Sequence, residues 1–153
     1  MSTVMGIRCW GDRFTYVVLS GTRAEPRPKS CELVRLAVND ARPAQLAGFR
    51  QDVYDVLTQQ SVGFVCFRSP EPIARAKSLP RAEIEGILQE VCHSHSPRVR
   101  IVGRTVKQLK SVLNFQGPAS NVFRLSERPE FLHLGKTNYA EALVAALSAL
   151  VDE

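Results

Sequence analysis

"VMGIRCWGDRFTYVVLSG" (residues 4–21) is the stretch on which the fold turns. Val4, Met5 and Ile7 read as a buried strand, Gly11-Asp12-Arg13 supplies turn chemistry, and Phe14 to Leu19 reads as the return strand. An apolar strand, a tight turn and a second apolar strand make an antiparallel hairpin. Asp12 is assigned to its turn.

Working outward from the hairpin, the Gly-, Pro- and charge-rich residues 21–30 are expected to be loop. Residues 31–38, with Leu33, Leu36 and Val38, predict a third strand. The period then changes: Leu46, Phe49, Val53, Val56 and Leu57 recur at helical spacing over residues 39–60, with Asp40 as the expected cap. Residues 61–67 form a continuous apolar run, the pattern of a strand buried on both faces. Three prolines make 68–80 irregular. A helix over 81–95 with Ile84, Ile87, Leu88 and Val91 on one face, a fifth strand over 97–103 and a short basic helix over 104–115 follow. Residues 116–137 are expected to be loop, and the chain closes with a helix from Asn138. Three strands with short links suit an antiparallel meander, and each later strand–helix–strand unit adds a parallel strand by a right-handed crossover. The expected architecture is α/β: a mixed five-stranded sheet with helices on both faces, in one domain spanning residues 1–153.

Composition bounds the function. At 153 residues the chain can bury a substantial core, and a net charge of +5 permits a polyanionic partner without requiring one. Cys9, Cys31, Cys66 and Cys92 match no zinc spacing and read as reduced, structural thiols. No apolar run is long enough to span a membrane and no signal peptide opens the chain, so a cytoplasmic location is expected. No Walker loop or dinucleotide fingerprint occurs, and no cofactor is expected.

Four stretches together carry a family likeness: "MGIRCWGDRFTYVVL" (5–19), "VCFRSPEP" (65–72), "VRIVGRTVKQLKSVL" (99–113) and "NYAEALVAALSAL" (138–150). In this order they resemble the RuvC-like branch of the RNase H-like superfamily, the Holliday-junction resolvases, and small RuvC-like proteins of bacteria. In that family the hairpin reads Gly-Ile-Asp, the fourth strand ends near a glutamate, and the last helix reads Asp-x-x-Asp-Ala-Leu-Ala. The resemblance implies an RNase H-like fold, nucleic-acid substrates, a dimer and two divalent metals held by four carboxylates.

Carried onto this chain, those carboxylate positions fall on Arg8, Arg68, Asn138 and Glu141. Cleavage of this type needs two metal ions about 3.5–4 Å apart, and magnesium takes hard oxygen ligands. Arginine offers donors only and keeps its charge. The expectation is therefore a degenerate metal site, with no metal and no catalytic residue. Asp12 and Glu71 are the nearby acids that could enter the site in their stead. Arg8 and Arg68 admit two roles: ion pairs to Glu141, or direct hydrogen bonds to a phosphate.

Arg75, Lys77, Arg81, Arg98, Arg100, Arg104, Lys107 and Lys110 form the candidate nucleic-acid-binding set. Trp10, Phe14 and Tyr16 are candidates for base stacking. His93 and His95 lack a third ligand and are assigned to a surface turn. The function expected is a non-catalytic RuvC-like protein that binds branched or duplex DNA or RNA, or works with a protein partner, as a possible homodimer. A protein-interaction subunit and a metal-dependent nuclease with displaced carboxylates are the alternatives.

Overall fold

The structure, a computed structural model, describes residues 2–71, 78–134 and 139–152. Five strands form one sheet in the order β3-β2-β1-β4-β5. They are β1 (Thr3–Cys9), β2 (Arg13–Gly21), β3 (Pro26–Arg35), β4 (Phe64–Arg68) and β5 (Arg100–Arg104). β1, β2 and β3 pair antiparallel, whereas β4 joins β1, and β5 joins β4, in parallel. Helices α1 (Arg42–Gln59), α2 (Leu79–Ser94), α3 (Val106–Val112) and α4 (Ala140–Ala149) connect and cover it. None is long and apolar enough to cross a membrane.

Strand alternation sorts side chains onto two faces. Met5, Ile7, Phe14, Val65 and Phe67 meet α1 and α2, where Phe49, Val53, Leu57, Ile84, Leu88 and Val91 are buried. Each such side chain contributes about 1.5–3 kcal/mol by leaving water. Val4, Val17, Leu19 and Cys66 face the other way and meet α4. The mixed sheet covered on both faces agrees with the expected α/β class.

Several expectations change. Residues 26–30 are strand, not loop, and the strand stops at Arg35. β3 is the sheet edge, where a proline's missing N–H costs least, and the register shifts between Val18 and Leu19, whose partners are Ser30 and Pro28. α1 begins at Arg42 after Ala41, with no side-chain cap from Asp40, because Pro43 fixes φ in the first turn. α2 begins at Leu79, where Ser78 Oγ accepts a 3.2 Å bond from Arg81 N. Residues 119–127 and 129–134 are 3₁₀ segments rather than loop, anchored by buried Val122 and Phe131.

α4 is buried from Ala142 to Ala149, where small residues, Ala142, Ala145, Ala146 and Ala149, let it pack closely. At Gly6 a Cβ would lie 1.9 Å from Ala142 O and 2.3 Å from Ala146 N. Only glycine lets the helix backbone settle directly on β1. That contact brings the first turn of α4 over the carboxyl ends of β1 and β4.

Candidate functional site

Arg8 follows Gly6 on the α4 face of β1, and Arg68 follows Cys66 on the same face of β4. Glu141, in the first turn of α4, sits between them. Arg8 Nε donates to Glu141 Oε2 at 3.1 Å, and Arg68 Nε lies 3.1 Å from Oε1. The second contact is an ion pair without an aligned hydrogen bond, so the buried Arg68 Nε has no acceptor among the described residues. Arg8 and Arg68 also donate to the carbonyls of their neighbours Cys9 and Ser69. Both side chains are 14% exposed, against 29% for Glu141. Burial pulls the Arg8 pKa below its ordinary value; Glu141 opposes this, while the positive charges of Arg81 and Arg68 add to it.

Two further acids and one further base close the cluster. Arg81, in the first turn of α2, donates to Glu85 Oε2 at 3.0 Å and to Arg68 O at 2.7 Å. Burial raises the Glu85 pKa despite Arg81. Glu71 accepts from Val106 N at 3.0 Å, tying the end of β4 to the start of α3, and lies 3.9 Å from Arg68. Glu71 is thus engaged with the backbone of α3 and with Arg68. Asp12 pairs with Arg13 at 2.9 Å on the hairpin turn.

The residues present do not fit a pair of divalent metals. Among the described residues no group of three or more His, Cys, Asp or Glu could hold an ion. Glu141 is already shared by two guanidiniums, and their charges would repel a cation. Asn138 lies outside the described residues.

The candidate nucleic-acid-binding residues are dispersed. Arg75 and Lys77 lie outside the described residues, and Arg98 is exposed. Lys107 and Lys110 line an open cleft of 360 Å³ with Phe115 and Gln116. Arg100 and Arg104 turn away from it, into a cavity beside the last turn of α4. Arg81 is held by Glu85 and by the Arg68 carbonyl. In the sequence Phe115 is indistinguishable from the end of the apolar face of α3; Asn114, at φ 49°, turns the chain there.

Two of the aromatic assignments fail on burial. Phe14 and Tyr16 belong to the core facing α1, and so cannot stack on a base. Trp10 lies between two guanidiniums, 4.4 Å from Arg8 and 4.5 Å from Arg13. His95 is buried rather than on a surface turn, with Nε2 2.9 Å from Thr58 Oγ1 and Nδ1 2.9 Å from Pro97 O.

No protein-family model matches the sequence, and no curated protein matches it. Solved structures do match. RuvC of Thermus thermophilus superposes with TM-score 0.77 at 17% identity, over 95% of this chain and 92% of that one. The same protein in complex with a Holliday-junction substrate gives 0.73 at 17% identity, over 97% and 92%. The yeast mitochondrial Holliday-junction resolvase Ydc2 gives 0.62 at 13% identity, over 96% of this chain and 77% of its own. The order of strands, the crossovers and these superpositions together show that this chain has the RNase H-like fold in its RuvC-like form.

Proposed function

We propose that this protein binds branched or duplex nucleic acid through a RuvC-like scaffold and does not cleave it. The observation that carries the proposal is the Arg8–Glu141–Arg68 bridge at the carboxyl ends of β1 and β4. A two-metal mechanism gathers carboxylates around cations; here Glu141 lies between two guanidiniums, and the neighbouring Glu71 and Glu85 are each set against an arginine as well. Arginine donors suit a phosphodiester, and a phosphate that displaces Glu141 would find both guanidiniums on one face of the sheet. Lys107, Lys110 and Phe115 add a cationic cleft with one aromatic side chain, the combination that holds a sugar–phosphate chain and a base. Support from relatives comes from structures with the same fold bound to Holliday junctions, those of Thermus thermophilus RuvC and the fowlpox virus resolvase.

The test is fluorescence anisotropy with a labelled four-way junction and a matched duplex, across a salt series. Contacts to about four phosphates would weaken binding roughly 100-fold between 50 and 200 mM salt. The same junction incubated with magnesium or manganese should remain uncut. Absence of binding, or affinity that ignores salt, would favour a protein-interaction role. Metal-dependent cleavage lost in Glu141→Ala would assign the chain to the nucleases.

A further inference from the structure

At the other end of the same sheet face lies a cavity of 680 Å³, between the starts of β1 and β4 and the last turn of α4. Its volume is that of a small-molecule site. Phe64 and the exposed Val151 give it an apolar side, and Arg23, Arg100 and Arg104 give it charge.

The three arginines differ in what they have left to offer. Arg23 is committed: it donates to Leu147 O at 3.3 Å, Ser148 O at 2.9 Å, Val112 O at 3.2 Å, and to Asp152. It caps the carbonyl end of α4, where a cation is favoured. Arg104 Nη1 donates to Ser148 O at 2.7 Å and to Ser148 Oγ at 2.8 Å, and the guanidinium also reaches the Cys66 thiol. It makes no ion pair among the described residues. The Arg100 side chain has neither a hydrogen bond nor an ion pair among the described residues; its guanidinium rests 4.3 Å from the Phe64 ring centroid. Arg104 lies 5.9 Å from the same centroid.

Arg100 and Arg104 are four residues apart on an edge strand, hence on one face of it. Two guanidiniums thus converge on one aromatic ring, and no described carboxylate pairs with either. Asp152, the acid lining the cavity, is taken by Arg23. Two unneutralised cations beside an apolar wall ask for a compact dianion with an apolar body. A phosphate monoester has that form near neutral pH, while a carboxylate would leave one cation uncompensated.

We propose that this cavity binds a small phosphate monoester, its dianionic head between Arg100 and Arg104 and its apolar body against Phe64 and Val151. The site is independent of the Arg8–Glu141–Arg68 bridge, and does not rest on the nucleic-acid reading.

Titration calorimetry on the whole chain, with phenyl phosphate and benzoate as probes, tests it. Phenyl phosphate should bind at least tenfold more tightly than benzoate. Arg100→Gln should weaken phenyl phosphate at least tenfold with an unchanged melting temperature, since Arg100 is exposed and its side chain makes no hydrogen bond or ion pair among the described residues. Arg104→Gln should weaken it too, with some loss of stability from the end of α4. Failure of phenyl phosphate to bind, equal binding of benzoate, or an unaltered Arg100→Gln titration would each overturn the proposal. So would release of prebound junction DNA by phenyl phosphate at matched ionic strength, because the two arginines would then serve a nucleic-acid backbone.

Discussion

Glu141→Gln removes one negative charge from between two guanidiniums and leaves the shape of the side chain nearly intact. Each N–O contact is 3.1 Å. At an effective dielectric constant of about 20, a charge pair at that distance is worth roughly 5 kcal/mol before desolvation. Removing one partner of a buried pair costs about 3–5 kcal/mol, while exposed pairs are worth about 0–1 kcal/mol. Glu141 is 29% exposed and its partners 14%, which places the loss between these limits, at about 2–3 kcal/mol. For a chain of this length that lowers Tm by about 5–10 °C. Urea denaturation supplies the free energy and thermal melting the Tm. Arg8→Met added to Glu141→Gln should recover part of the loss, because it removes a cation that no longer has a partner. In the anisotropy assay the single variant should bind the junction more tightly, with a salt slope steeper by about 1–2, because two guanidiniums become free for phosphates. A loss below about 0.5 kcal/mol, or losses from the two substitutions that simply add, would refute the view that Glu141 neutralises the site.

Gly6→Ala should cost about 3 kcal/mol or more, measured by urea denaturation, because the new methyl group meets the backbone of α4 rather than a movable side chain; an unchanged midpoint would contradict the close docking of α4 on β1. Of the four thiols, all unpaired, only Cys31 should react with Ellman's reagent in the folded protein. Cys9, Cys66 and Cys92 are buried, and burial pushes the Cys92 thiol up to about 12, so rapid reaction at any of the three would show that the core opens. Burial raises the Glu85 pKa, so the folded protein holds that proton more firmly than the unfolded chain does. The stability contributed by the protonated form is present below the unfolded carboxyl pKa and is lost as pH rises through the folded one. Melting curves across this window should show the wild type falling relative to Glu85→Gln as pH increases; a wild type that gains on Glu85→Gln as pH rises would reverse the assignment.

Much of the architecture is legible along the chain because it is written in local periods. The apolar residues Val4, Met5 and Ile7 mark β1 as a buried strand, and helical spacing puts Phe49, Val53 and Leu57 on one side of α1. The resemblance to the RuvC-like branch, rather than chain order, points to Arg8 and Arg68 as partners in one site, and the parallel pairing of β1 with β4 makes their strands neighbours. Where local signals compete with position in the sheet they mislead: Pro26 and Pro28 look like loop until β3 is seen to be the edge, and Phe14 and Tyr16 look available until α1 covers them.

What the amino-acid sequence determined by itself was the order of elements, the faces of the sheet and the kind of charge at the strand ends. Tertiary structure decided the pairings. Glu141 reaches Arg8 across 133 residues of chain only because Gly6 admits the backbone of α4. It also divided the basic residues, sending Arg100 and Arg104 into one cavity and Lys107 and Lys110 into another cleft. Periodicity constrains neighbours a few residues apart, whereas a guanidinium's partner depends on which distant backbone the packing brings within about 3 Å.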